Sequence, residues 1–349
     1  MRGATRRRLR LFARILIVGT LVGVVYGGFI NLAVGGTGWR GSLAGAVSGF
    51  AITAVIGSIE ILLLPTRRSI AFQQAPFLVT FGVKWLVYGA VITAVNVGSL
   101  GERLLGLGRI DSPQAGLVAP LSVVFSFVVT FGFLFVVEVG NIVGWRTLRD
   151  IVLGRYHRPR SEERFFLFVD IAGSTALAER IGPEAVHRFL DRVFRLASDP
   201  IDDCAGEIYQ YVGDEMVVTW TAAEGRRDAR PIACLFAIQA ALDEEAGKFE
   251  RDFGVAPGIR AALHAGPVIT GEVGGSKRAI VFHGDVMNTA SRLEQATRSL
   301  DRRFLVSGDA LSRLTGTERY ALEALGPQAL RGRAAPVEVY ACSEGNVRV

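Results

Sequence analysis

The sequence predicts a multi-pass α-helical membrane domain followed by an α+β domain in which an antiparallel-rich sheet packs against helices. Three observations predict it. Mean hydropathy is high, +0.34, and the excess lies almost entirely before about residue 145, while the remainder has ordinary charge density. Four stretches in that first part are long enough to cross a hydrocarbon core and show no repeating polar face. Beyond them, short β-rich runs alternate with amphipathic helical patterns, with hairpins among them. The expected layout is a basic N-terminus over 1–13, a four-helix membrane domain over 14–145, a linker over 146–162 and a soluble domain over 163–343.

The chain begins with Arg2, Arg6, Arg7, Arg8 and Arg10 ahead of an apolar run. Such a cluster suits the anionic face of a lipid bilayer. A net charge of +6 also raises nucleic-acid binding, but no zinc-finger spacing or RNA-binding aromatic motif supports it, so no nucleic-acid partner is expected. The first apolar run exceeds a signal-peptide core and further spans follow, which favours a retained helix. Three cysteines, Cys204, Cys234 and Cys342, lack CxxC spacing and read as reduced thiols.

Spans are expected over Arg14–Val34, Ala44–Leu64, Pro76–Val97 and Leu117–Ile142. Arg67 and Arg68 follow the second span and Arg146, Arg149 and Arg155 follow the fourth. The other two loops hold fewer basic groups, Arg40 in one and Arg103 with Arg109 in the other. Positive-inside counting therefore puts both termini and the soluble domain in the cytoplasm. Gly19, Gly23 and Gly27 recur every four residues, either as a close-contact face or as ordinary glycine richness. Glu60, Lys84 and Glu138 interrupt otherwise apolar spans, and Lys84 is expected to pair with an acid or to snorkel.

In the soluble domain, Arg164–Asp170 reads as a strand buried on both faces. Ser174 and Thr175 are candidate N-caps of a helix over Ala176–Ile181, and Pro183 opens another to about Leu196. Gly206–Trp220 contains two β-rich stretches around Gly213-Asp214, a hairpin. A helix over Pro231–Lys248 follows, then strands over Pro257–Ala265 and Val268–Val273 separated by Gly266-Pro267. A short strand over Ile280–Phe282 and a helix over Val286–Thr297 complete the readable part.

Asp170 at a strand end and Asp214 at a hairpin tip converge if their strands are neighbours. Paired carboxylates of this kind suit Mg²⁺ or Mn²⁺ carrying a triphosphate, although strand-end aspartates also serve as plain turn formers. The turn Ile171-Ala172-Gly173-Ser174-Thr175 would offer N–H groups to phosphate oxygens. Asn288 and Arg292, four apart on one helix face, could orient a ribose and oppose charge on a phosphoryl group, or could sit on the surface.

Taken together, three ordered segments resemble the class III adenylate/guanylate cyclase catalytic domain, especially membrane-bound bacterial members. They are Phe168-Val-Asp-Ile-Ala-Gly-Ser-Thr175, Tyr211-Val-Gly-Asp-Glu215 and Gly284-Asp-Val-Met-Asn-Thr-Ala-Ser-Arg-Leu-Glu294. The resemblance implies that Asp170 and Asp214, with the Ile171 carbonyl, hold two divalent ions, Mg²⁺ or Mn²⁺. It implies that Asn288 and Arg292 act on the ribose and α-phosphate, and that Arg331 reaches the terminal phosphates. It further implies an obligatory homodimer whose site takes the aspartates from one subunit and the Asn–Arg pair from the other. The expected reaction is conversion of ATP into 3',5'-cyclic AMP and pyrophosphate. Two positions depart from the family pattern. Gln210 stands where adenylate cyclases commonly carry lysine, and Val281 where they carry Asp or Thr; the Glu and Cys usual in guanylate cyclases are also absent. Gln210 can still read a purine edge, whereas Val281 only shapes the pocket. A guanylate cyclase and a catalytically silent cyclase-like module remain the alternatives.

Overall fold

The computed structural model describes residues 2–33, 35, 37–63, 76–97, 118–276, 278–331, 333 and 335–345. The chain divides into two compact units, Met1–Ile142 and Val143–Val349.

The first unit is helical: α1 (Arg2–Ala33), α2 (Gly38–Gly57) continued by a π-helical turn (Ser58–Leu63), α3 (Phe77–Val97) and α4 (Val118–Val143). Four segments within them are long and apolar enough to cross a membrane: Leu9–Ala33, Gly38–Ile61, Val79–Asn96 and Pro120–Val143. α1 starts earlier than its apolar core because arginine and leucine are good helix formers and no breaker separates them. Arg40 lies in the first turn of α2 rather than in a loop. Arg67, Arg68, Arg103 and Arg109, on which the charge-based orientation rests, lie outside the described residues.

α1 and α2 pack through two facing glycine stripes. A Cβ on Gly23 would collide with the Gly45 carbonyl, and one on Gly27 with the Gly41 carbonyl; Gly19 is similarly close to Gly49 and Thr53. The four-residue spacing in α1 is therefore a contact face, and Gly41, Gly45 and Gly49 are its partner on α2. Close backbone approach of this kind maximises dispersion contact where lipid supplies no hydrophobic drive.

The three ionisable residues meet. Lys84 on α3 donates to Glu60 on the π-helical turn (3.1 Å) and to Glu138 on α4 (2.7 Å), and the Tyr88 hydroxyl donates to Glu60 (2.8 Å). The pairing extends to both acids, so three elements share one buried ionic contact.

In the second unit α5 (Trp145–Val152) does not continue the preceding helix. Gly144 adopts φ 93° and ψ 133°, a conformation open to glycine and costly for other residues. α5 is held by Arg146 donating to Glu224 (2.7 Å) and Thr147 donating to Glu207 (3.1 Å).

The sheet comprises β1 (Arg160–Ile171), β2 (Glu207–Val212), β3 (Glu215–Thr221), β4 (Ile259–Val273), β5 (Ala279–His283), β6 (Phe304–Ser307), β7 (Tyr320–Gln328) and β8 (Val337–Glu344). Its order is β2-β3-β1-β4-β6-β8-β7, with β5 paired to β4. Every pairing is antiparallel except β4 with β6. The helices are α6 (Ser174–Ile181), α7 (Pro183–Asp203), α8 (Arg230–Phe253) and α9 (Asp285–Ser299), each extending beyond the expected range. The expected break at Gly266-Pro267 is absent, and β4 runs through as one strand. Pro267 falls between the stretches pairing with β6 and β5, where one side of β4 carries no ladder and a missing N–H is tolerated.

Alternation along β1 sets both cores. Phe165, Leu167, Val169 and Ile171 face α7 and α8 among Phe189, Val193, Ile232 and Phe249. Phe166 and Phe168 face the other way, against Val286 and Ala290 of α9. The same alternation directs Asp170 to the α9 side. Cys204, Cys234 and Cys342 are free thiols.

Two predictions follow from the packing. Gly23→Leu or Gly45→Leu should lower the detergent melting temperature of the full chain by several degrees, whereas Gly82→Ala, with nothing within 4 Å of an added Cβ, should not. His264, buried on β4 with Nδ1 2.7 Å from the Ser307 hydroxyl, has its pKa lowered to about 4 by burial. The unfolded chain therefore takes up this proton near pH 6.5 and the folded chain only near 4. Stability should fall across that window by roughly 3 kcal/mol, in urea unfolding followed by the emission of buried Trp220, and His264→Gln should flatten the slope.

Candidate active site

Asp170 is next to last in β1, where it pairs in register with Glu215 of β3 and Arg260 of β4. Asp214 precedes Glu215 in the β2–β3 turn, whose Gly213 adopts φ 63°. Sheet register thus brings the two sequence-predicted aspartates to one end of neighbouring strands. Asp170 is 5% exposed. Burial and the nearby Asp214 raise its pKa, opposed by Arg298 and Arg260.

Ser174 does not cap α6. Gly173, left-handed at φ 77°, occupies the N-cap without a side-chain bond, and the Ser174 hydroxyl instead donates to Asp214 Oδ2 in a short contact. The chain turns so sharply after β1 that Ser174 is folded back toward the hairpin. Thr175 is exposed beside it, and Ile171 is buried in the core.

Helix α9 carries two polar stripes. Asn288 is exposed and Arg292 half-buried, and neither makes a hydrogen bond among the described residues. Glu294 and Arg298 form a second i,i+4 pair about 120° further round the helix, at ~100° per residue. Arg298 Nη2 donates to Asp170 Oδ2 at 2.9 Å. Glu294 is 4% exposed with a buried Oε1 that has no partner among the described residues. Burial foremost, then Asp170, pushes Glu294 up to about 7. Burial, then Glu294, Asp170 and Asp214, does the same to Glu215. The Asn–Arg stripe therefore does not meet the aspartates of its own chain, while the Glu–Arg stripe does.

Arg331 is exposed and its side chain makes no hydrogen bond among the described residues, whereas Arg333 donates to Thr289 Oγ1 (3.1 Å) and lies 3.4 Å from Asp285 Oδ2, on the first turns of α9. Gln210 is exposed on β2 after an irregularity in the β2–β3 register, and Val281 is half-buried on β5. Their neighbours Tyr209 and Phe282 meet with ring centroids 4.7 Å apart and ring planes tilted by 54°, packed against the cluster that holds Phe166 and Phe168. Glu215, Glu294, Arg298 and Arg333 were not singled out from sequence. The i,i+4 spacing of Glu294 and Arg298 on the Asn–Arg helix, and the doubled arginine of Arg331-Gly-Arg333, were the available signals.

Among the described residues no group of three or more His, Cys, Asp or Glu is arranged to hold a metal ion. The donor set nevertheless suits a hard divalent cation shared with a substrate. Two carboxylates approach one another, and a guanidinium already supplies positive charge to one of them. Such ions commonly take one or two protein carboxylates and complete their shell with phosphate oxygens and water.

The family model for the adenylate and guanylate cyclase catalytic domain matches residues 157–343. The chain belongs to the class III adenylate/guanylate cyclase family. The chain is 35% identical to Adenylate cyclase 2 of Rhizobium meliloti over 257 residues, 72% of this chain and 71% of that one. It is 25% identical to an adenylate cyclase of Mycobacterium bovis over 337 residues, 80% of this chain and 74% of the relative. It covers only 26% of Adenylate cyclase 1 of Rhizobium meliloti and 35% of an adenylate cyclase of Anabaena cylindrica. A bacterial light-regulated adenylyl cyclase of known structure shares the fold, with TM-score 0.52 and 23% identity over 65% of each chain. The second unit is thus a cyclase-type catalytic fold preceded by four apolar helices, the arrangement of a multi-pass bacterial membrane cyclase.

Glu294 provides a test of the electrostatics. Its folded pKa lies above that of an ordinary glutamate, so the stability it contributes is present at low pH and is lost as pH rises through about 7. Glu294→Gln should therefore raise the metal-free melting temperature at pH 8 and change it little at pH 5.

Proposed function

We propose that this chain is an adenylate cyclase that converts ATP into 3',5'-cyclic AMP and pyrophosphate in a site shared by two copies. The observation that carries the reading is the division of α9. Its Glu294–Arg298 stripe serves Asp170 of the same chain, while Asn288 and Arg292 are left unbonded on another stripe, available to the nucleotide held by a second subunit's aspartates. Isologous pairing would create two such sites.

Asp170, Asp214 and the Ile171 carbonyl would hold two divalent ions, Mg²⁺ or Mn²⁺, which when bound supply Lewis-acid stabilisation of oxygen charge on the ribose and polyphosphate. The chain's own groups do the positioning. The turn at Gly173, Ser174 and Thr175 presents N–H groups to phosphate oxygens. The Asn288 amide orients the ribose, and the Arg292 guanidinium opposes charge building on the α-phosphate. Arg331 reaches the terminal phosphates, with Arg333, bonded to α9, as a second basic group near that end. Gln210 reads the purine edge and Val281 shapes its pocket. The ribose 3'-oxygen attacks the α-phosphorus, its proton passes to solvent, the bond to the β-phosphate breaks, and pyrophosphate leaves. Holding oxygen and phosphorus in line and stabilising the developing charge are the main contributions such a site makes.

ATP is favoured over GTP because the Rhizobium and Mycobacterium relatives are named adenylate cyclases and neither guanine-reading residue is present. Both termini and the catalytic unit are assigned to the cytoplasm, where nucleoside triphosphates are available.

The full chain in detergent, given ATP or GTP with Mg²⁺ or Mn²⁺, should form 3',5'-cyclic AMP from ATP. Asp170→Ala and Arg292→Ala should each be nearly inactive. Co-assembled, half the dimers would be mixed with one of two sites intact, so activity should recover to about a quarter of the parental rate. Folded, dimeric mutants that fail to complement would overturn the shared site, and cyclic GMP as the main product would overturn the choice of base.

A further inference from the structure

The contact between Arg298 and Asp170 has a cost that a purely structural ion pair would not require. Asp170 is 5% exposed and sits with Asp214, Glu215 and Glu294 around one end of β1. Arg298 is on the last turn of α9 with its side chain 60% exposed. An exposed arginine gives up rotamer freedom to reach into this acidic end and bonds one of the two carboxylates read as ligands of the divalent ions. The alternation of β1 turns Asp170 toward α9, and the i,i+4 spacing from Glu294 puts Arg298 over it.

We propose that Arg298 is the built-in counter-cation of the metal site: it neutralises and orients the Asp170 carboxylate in the metal-free chain and must be displaced before a divalent ion can use that oxygen. This rests on the reading of Asp170 as a metal ligand. Arg298 acts through Asp170 and touches neither substrate nor reacting atoms, so it is a positioning residue. The geometry suits a displaceable partner. A guanidinium as exposed as this one recovers hydration on leaving, so breaking the pair costs little, whereas a divalent ion brings twice the charge. The arrangement offsets part of the cost of burying the Asp170 carboxylate and holds it aligned without a metal, while opposing weak or misplaced cations. On the other aspartate, the Ser174 hydroxyl donating to Asp214 does the orienting without a charge.

The test is direct Mn²⁺ binding to the full chain in detergent without nucleotide, read from the free-ion electron paramagnetic resonance signal. Arg298→Gln should bind Mn²⁺ about three- to tenfold more tightly than the parent, the range expected for releasing an exposed ion pair and removing a nearby positive charge. Arg298→Lys, which keeps the charge, should stay within about twofold of the parent. Metal-free melting temperatures within a few degrees of each other would establish that the variants are folded. Unchanged or weaker binding in Arg298→Gln, or equal tightening in the lysine variant, would overturn the proposal. Asp170→Asn separates the premise from the inference. If it binds Mn²⁺ as the parent does, Asp170 is not a ligand and both readings fall. If it loses binding while Arg298→Gln changes nothing, only the role of Arg298 falls.

Discussion

Crowding of negative charge at the end of β1 is the constraint around which the catalytic unit is arranged. Asp170, Asp214, Glu215 and Glu294 are carried there by strand register, a two-residue turn and one helix. Like charges in a partly dry space cannot all ionise at ordinary cost. The structure answers in three ways. Glu215 and Glu294 are pushed up to about 7 and take protons more readily. Ser174 donates to Asp214, and Arg298 with Arg260 lends positive charge to Asp170. A helix that packs Val286 and Ala290 on the sheet thereby also tunes the acids at its edge.

Much of this was legible in the residues. The uninterrupted apolar run of β1 identified a strand covered on both faces, and the Gly213-Asp214 pair identified its hairpin neighbour, because buried strands and tight turns have local signatures. Asn288 and Arg292 were readable as one helix face for the same reason. What escaped depends on contacts between distant segments. Nothing local marks Ser174 as a partner of Asp214 rather than a helix cap, and nothing local marks Arg333 as a partner of Thr289 and Asp285. Gly266-Pro267 looked like a turn because glycine and proline usually punctuate strands. Only the gap between the β5 and β6 ladders, a property of the assembled sheet, lets β4 pass through them.

The membrane unit divides its work between two kinds of contact. α3, α4 and the π-helical turn are joined by Lys84 between two glutamates, a contact whose disruption would strand charge away from water. Such a bond is specific and sensitive to the removal of any one partner. α1 and α2 are joined instead by shape alone.

That second joint has a mechanical consequence. Backbones pressed together along three layers of glycine on each helix leave only short side chains such as Thr53 and Ser42 at the joint, too small to act as bearings. Neither helix can roll or slide without driving one peptide plane into another. Two of the four spans therefore move as a single plank, and through Glu60 on the continuation of α2 that plank is hitched to Lys84 of α3 and, beyond it, to Glu138 of α4.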